Sequence, residues 1–351
     1  MLESVIKILL LSFTSFIIAF ALTPLWTKIL YKHRYIFGKQ IRQSNNSPIF
    51  ESLHKKKEGT PTMGGVLIWG SVLIVIFIFW ILAQITNNEF LQNLNFLDRG
   101  ETWLPLAFLI IAALGGLIDD ILGAFRIGPL GGGIAIRWKL IGYLIIAIIG
   151  AWWFSAKLDW DVFFVPFLGM ANIGFWYIPI FVFIIVGSAF SSDLTDGLDG
   201  LLGGVMLFAF GALSVVSFSQ GRIELAAFCL VIMGALLAFL WFNIHPARFF
   251  MGDTGSMALG IVLGTIAMLT NTALFLPFFA FILVIEALSS IIQLTARKTI
   301  KKKVFLSSPI HHHFEAKGWP EAKITMRFWI ISAVMSGLGL VFYFLTFPVT
   351  S

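Results

Sequence analysis

Six of the nine aspartates in this 351-residue chain, and its only run of three histidines, lie at the edges of long apolar segments. The acids are Asp119, Asp120, Asp193, Asp196, Asp199 and Asp253; the imidazoles are His311, His312 and His313. A charged group at the centre of a membrane helix costs about 2.5–3.5 kcal/mol on insertion scales, so acids gathered beside such segments point to a working site. Six carboxylates facing one side cannot all stay ionised without a cation. Hard oxygen donors suit Mg2+, which keeps several waters, takes one or two carboxylates and completes its shell with phosphate oxygens. Asp253 lies in Phe249-Phe250-Met251-Gly252-Asp253-Thr254-Gly255-Ser256, a glycine turn that can aim backbone N–H groups at an anion beside a helix start. Together these residues suit phosphoryl chemistry on a lipid-linked phosphate.

The other candidates surround this core. Asp193, Asp196 and Asp199 are spaced three apart, so on one helix they would fan over roughly a third of its circumference. Gly197 and Gly200 suit a turn entering the next helix. Capping and solvated loop charge are the alternative for this triplet, and a simple end-of-span stop for Asp119-Asp120. No Glu closes a twelve-residue loop, which excludes an EF-hand. The histidines are internal, and three adjacent residues cannot all point at one ion, so phosphate contact or substrate orientation suits them better than zinc. In the run His54 to Gly65, Lys57 can neutralise phosphate and the glycines allow close backbone approach. Asn243 offers a hydrogen-bonding amide and Phe250 a stacking ring.

The elements that position these groups are membrane spans. The chain is 58% hydrophobic and 12% charged, against about 25% charge in an average soluble domain. Apolar runs long enough to span, about 17–25 residues each, occur around 5–30, 64–85, 104–118, 140–154, 173–190, 201–218, 225–242, 257–269, 274–294 and 328–347. We therefore expect a single all-α integral membrane domain over 1–351 with about ten transmembrane helices. Ten spans put both termini on one side. The loops of the other side carry 20 of the 24 Lys and Arg residues, which makes that side cytoplasmic and both termini extracytoplasmic. All six acids and the histidines fall on the cytoplasmic face, while Asp98, Asp159 and Asp161 fall on the other. The net charge of +6 is mainly this topology signal, because the basic residues flank spans; it argues against a nucleic-acid partner. The lone Cys229 lies inside an apolar run and reads as a small packing residue.

The motifs taken in order resemble those of the phospho-N-acetylmuramoyl-pentapeptide transferases. They are Lys57 to Gly65, Asp119-Asp120, Leu194-Thr195-Asp196-Gly197-Leu198-Asp199-Gly200-Leu201, Asn243 with Phe250 to Ser256, and Pro309-Ile310-His311-His312-His313-Phe314-Glu315. The resemblance spans nearly the whole chain. It implies transfer of phospho-MurNAc-pentapeptide from UDP-MurNAc-pentapeptide to undecaprenyl phosphate, giving lipid I and UMP in peptidoglycan synthesis. It also implies a Mg2+-dependent homodimer in the bacterial inner membrane with its active site facing the cytoplasm. By the same resemblance Asp253 is the metal ligand. Asp119, with Asp120 beside it, is the residue that deprotonates the lipid phosphate or acts as nucleophile. Lys57, Asp199, Asn243 and Phe250 match nucleoside-site positions, with uracil stacked on the ring. Thr62, Asp196 and Gly252 match other active-site positions, flanked by Gly197 and Leu198, and His311 to His313 match the loop that closes the site.

One position departs from the family pattern: Asp193 stands where the family has Asn, which bears on contacts to the donor's sugar or diphosphate. The nearest alternative is a sibling transferase moving another HexNAc-phosphate onto a polyprenyl phosphate. An intramembrane prenyltransferase would need DxxxD-type spacing that Asp119-Asp120 does not supply. An ion-coupled transporter would place ionisable groups near the midplane, where Glu286 is the lone candidate.

Overall fold

A computed structural model describes residues 1–33, 59–97, 100–129, 132–157 and 160–347. Helices occupy all ten apolar runs. The first five long ones are α1 (Leu2–Lys32), α2 (Gly65–Ile85), α4 (Trp103–Ala124), α5 (Ile136–Lys157) and α6 (Tyr177–Thr195), with the five-residue α3 (Glu89–Asn93) after α2. Then come α7 (Leu201–Ser219), α8 (Ile223–Asn243), α9 (Asp253–Leu269), the short α10 (Leu276–Phe279), α11 (Phe281–Thr299), α12 (Ile310–Ala316) and α13 (Glu321–Thr346). Among the described residues eight helices are long and apolar enough to cross a membrane, and the pair Ala273–Phe279 and Phe281–Thr299 forms a span bent by 91°. The chain is a helical integral membrane protein.

Two of the ten runs differ from simple spans. The ninth breaks at Ala280, so α10 and α11 run nearly at right angles. The eighth is α9, whose 17 residues reach about 25 Å at 1.5 Å per residue. Every residue of α9 from Thr254 to Leu269 is buried, which makes it the axis of the bundle, packed against α4, α6 and α2. The only strands among the described residues form a hairpin, β1 (Val162–Val165) with β2 (Gly169–Asn172), paired antiparallel.

The hairpin marks the end of the bundle away from the acids. The Phe164 amide donates to Asn271 Oδ1 at 2.9 Å, and the Phe164 ring meets Phe347. Lys7 pairs with Glu224 at 3.0 Å, and Arg222 lies over Trp160. Lys7 and Arg222, two of the four Lys and Arg residues that the loop count assigns to the side of the termini, thus lie at or near this end.

Helix α9 reaches its neighbours through residues that lack bulk. A Cβ on Gly116 of α4 would stand 2.2 Å from the Asp253 carbonyl oxygen. Only hydrogen fits there, so the α4 backbone touches the α9 start directly, as small residues permit between membrane helices. Asp119 and Asp120 follow within about one turn of that contact, which is how one glycine brings the acidic pair to Asp253.

Candidate active site

The acidic pair diverges as adjacent helical positions must, by about 100°. Asp120 turns to the α9 N-terminus and accepts the Asp253 and Thr254 amides at 3.2 and 3.0 Å. It is a cap supplied by another helix, satisfying two of the donors that every helix start leaves open. Gly252 makes this possible: its φ is +76°, and a Cβ there would stand 2.6 Å from the Asp120 carboxylate. Asp119 faces the other way, buried, accepting the Ile134 amide and holding Lys139 Nζ at 2.8 Å.

Lys139, near the start of α5, is the centre of the site. Its ammonium bonds Asp253 as well as Asp119 and lies 3.9 Å from Asp193. Three carboxylates from α4, α6 and α9 therefore surround one cation. Asp193 also accepts the Tyr143 hydroxyl at 3.1 Å and the Ser256 hydroxyl at 2.9 Å. Asp253 is the most open of the three, with a quarter of its side chain exposed against 4% for Asp119. The donors are all oxygens and they already converge on a positive charge, so the group fits a hard divalent cation. Asp253 is the member that solvent and phosphate can reach.

The Asp193–Asp199 triplet does not share one helical face, because α6 ends at Thr195. Asp193 looks into the Lys139 cluster. Asp196 accepts the Gly252 amide at 3.1 Å and so ties its own turn to the glycine turn. Asp199, buried, accepts His245 Nδ1 at 2.9 Å and the Ala247 amide at 3.1 Å. Its own amide donates to Glu321 at 2.5 Å. Asp199, His245 and Glu321 thus form a second compact group of possible ligands.

Backbone pairing fixes the remaining segments. The Phe250 amide donates to the Pro61 carbonyl, and the amides of Gly64 and Gly65 donate to Phe250 and Met251, each at 2.8 Å. Thr62 is carried in that pairing, half-buried. Asn243 accepts the Gly200 amide at 3.0 Å and donates to the Phe249 carbonyl at 2.8 Å, joining the Asp199 turn to the glycine turn. Phe250 and Leu198 are buried. Lys57 lies outside the described residues.

The histidines occupy α12 and do three different things. His311 is fully buried, with Nδ1 3.0 Å from Glu286 on α11, and its ring fills the place a Cβ on Gly197 would take. His312 meets Glu315 at 2.6 Å. His313 accepts the Leu306 amide on Nδ1 at 3.1 Å, and partial burial beside Lys317 pulls its pKa below the usual imidazole value.

Sequence reasoning passed over Lys139, Tyr143, His245 and Glu321. Loop charge bias accounts for Lys139 as a topology residue, although Tyr143 four residues on shares its helical face. Glu286 stood out as the ionisable group of its span, and its partner is now His311.

The model for glycosyl transferase family 4 matches residues 102–271. The phospho-N-acetylmuramoyl-pentapeptide-transferase of Geobacillus sp. (strain WCH70) is 38% identical over 342 residues, covering 97% of this chain and 98% of that protein. The chain belongs to the phospho-N-acetylmuramoyl-pentapeptide-transferase family. The Chloroflexus aurantiacus protein of that name is 34% identical over 96% of this chain and 90% of its own. The Thermoanaerobacter sp. (strain X514) one is 37% identical over 93% and 96%. Signature 1 of the phospho-N-acetylmuramoyl-pentapeptide-transferases covers residues 57–68. Its described part is the stretch that pairs with Phe250 and Met251.

Proposed function

We propose that this chain transfers phospho-MurNAc-pentapeptide from UDP-MurNAc-pentapeptide to undecaprenyl phosphate, yielding lipid I and UMP for peptidoglycan synthesis. The observation that carries the proposal is the Asp119–Lys139–Asp253 cluster at the end of the buried helix α9. Phosphoryl transfer needs positioning and charge neutralisation more than covalent chemistry. The cluster offers both at the edge of the spans, where a lipid phosphate can arrive from the bilayer and a soluble nucleotide sugar from water.

Asp253 would hold Mg2+, with diphosphate oxygens completing the coordination. When bound, the metal ion supplies charge neutralisation for the donor diphosphate and for the UMP leaving group. Asp119 takes the proton of the lipid phosphate or attacks the donor phosphorus itself. Asp120 holds the α9 start rigid, and the Gly252 turn keeps its backbone beside the diphosphate. Lys57, Asp199, Asn243 and Phe250 form the nucleoside side, and Thr62, Asp196, Gly197, Leu198 and Gly252 the turns around the donor. His311, His312 and His313 bring α12 over the site. The basic bias of the loops at this end supports a cytoplasmic active site, two extracytoplasmic termini and a bacterial inner-membrane location. The family further suggests a homodimer.

The test is a lipid-linked product assay offering UDP-MurNAc-pentapeptide and UDP-GlcNAc to the purified protein with undecaprenyl phosphate. Product from the first donor alone supports the proposal. Product from UDP-GlcNAc instead would assign the chain to the sibling transferases.

A further inference from the structure

Lys139 presents a difficulty for metal binding. Its ammonium sits between Asp119 and Asp253, where a dication serving those carboxylates would also belong. A dication and an ammonium cannot share so small a space, since like charges a few ångströms apart repel strongly at protein dielectric. The lysine must move. Its four-carbon stem allows that, and the third carboxylate lies close by. Asp193 is 3.9 Å from Nζ, so a swing of about 1 Å makes a direct ion pair.

Asp193 is also prepared to receive it. The Tyr143 and Ser256 hydroxyls both donate to its carboxylate, at 3.1 and 2.9 Å, an arrangement that suits the anion. Tyr143 stands one turn along α5 from Lys139, on the same face, so a displaced ammonium arrives beside an oxygen already oriented. An amide at 193 would offer no charge. We propose that Lys139 is a resident counter-cation that trades places with the divalent ion, leaving Asp253 for Asp193 as the metal enters. This rests on the reading of Asp253 as the metal ligand, and it gives the acid at 193 a purpose. The ammonium then offsets part of the carboxylate charge whether the metal is present or not, and it stays within reach of an incoming phosphate.

The test is Mn2+ binding by detergent-purified protein without donor or acceptor, read as loss of the free-ion electron paramagnetic resonance signal. Lys139→Gln should bind Mn2+ roughly tenfold or more tightly than wild type, because the competing charge is gone. Asp193→Asn should weaken Mn2+ binding several-fold while Lys139 is present and scarcely at all in the Lys139→Gln background. Unchanged or weaker binding in folded Lys139→Gln protein overturns the exchange. So does an equal Asp193→Asn loss in both backgrounds, which would make Asp193 a direct metal contact. Asp253→Asn separates the two claims: wild-type Mn2+ binding in that variant overturns the metal-ligand reading and the exchange together. If it loses binding while the other arms fail, only the exchange is wrong. Should Lys139→Gln not fold, a structure of the wild-type protein with Mn2+ decides. Nζ within about 3 Å of Asp193 supports the exchange, and Nζ still bonded to Asp253 overturns it.

Discussion

Asp120 on α4 accepts the backbone amides of Asp253 and Thr254, at 3.2 and 3.0 Å, and so caps a helix to which it is not joined in sequence. Its neighbour Asp119 instead holds Lys139 at 2.8 Å. Two adjacent aspartates thus have separate partners, the one a helix start and the other the Lys139 ammonium.

Their variants should differ accordingly. Asp120→Ala removes a helix cap, which costs about 0.5–2 kcal/mol, and should lower both the melting temperature in detergent and the activity. Asp119→Ala should reduce kcat strongly with a smaller thermal shift. Identical thermal losses in the two would mean that both acids serve folding alone.

Gly197 should not tolerate even a methyl group. A Cβ there would stand 2.3 Å from His311 Nε2, and that ring is fully buried against Glu286. Overpacking of this kind costs about 1–3 kcal/mol. Gly197→Ala should displace α12 and reduce turnover, while Gly187→Ala, in open space by the same measure, should behave as wild type. Full activity in Gly197→Ala would detach the histidines from site closure.

Phe250 should act on the donor side. Phe250→Ala is expected to weaken UMP binding and raise the donor KM, leaving the KM for the lipid phosphate little changed. Its ring is buried and its backbone pairs with Pro61 and Gly64. A melting measurement must therefore accompany the kinetics. The opposite KM pattern would put Phe250 beside the acceptor.

His313 supplies a pH dependence. Burial and then Lys317 lower its pKa, so the neutral ring is the favoured folded form. A depressed folded pKa means that this contribution is complete above the unfolded value, about 6.5, and declines as pH falls below it. Protonated Nδ1 cannot accept the Leu306 amide. Protection of the Leu306 amide, taken relative to its intrinsic exchange rate, should therefore fall on acidification in wild type and be low at all pH values in His313→Ala. Protection that ignores pH would contradict the assignment.

Much of this was legible in the residues, and the gaps have physical causes. Ten apolar runs became helices because a single segment in lipid satisfies its own backbone only as a helix, whereas strands need a closed barrel. The break at Ala280 was hidden, since apolarity reports burial in lipid or protein and not direction. Helix α9 is short for the same reason: enclosed by its neighbours, it needs no lipid-matched length. The acids look like one set in the sequence because period and side are its only guides. Which of them faces Lys139, and which merely caps a helix, depends on rotation about axes that only packing fixes. Lys139 itself is hidden among the basic residues that flank the spans on one side, because charge at a span edge has two explanations and composition cannot separate them. Asp193 was visible as an anomaly against the family, but its partners Tyr143 and Ser256 come from α5 and α9.

The most direct test is lipid-linked product formation from radiolabelled UDP-MurNAc-pentapeptide and undecaprenyl phosphate by wild-type and Asp253→Asn protein, with Mg2+ or with a chelator. We expect product from the wild type with Mg2+ only, and almost none from a folded Asp253→Asn variant under any condition. Near-normal product from Asp253→Asn at ordinary Mg2+, or from the wild type under chelator, would contradict a metal-bearing site at Asp253.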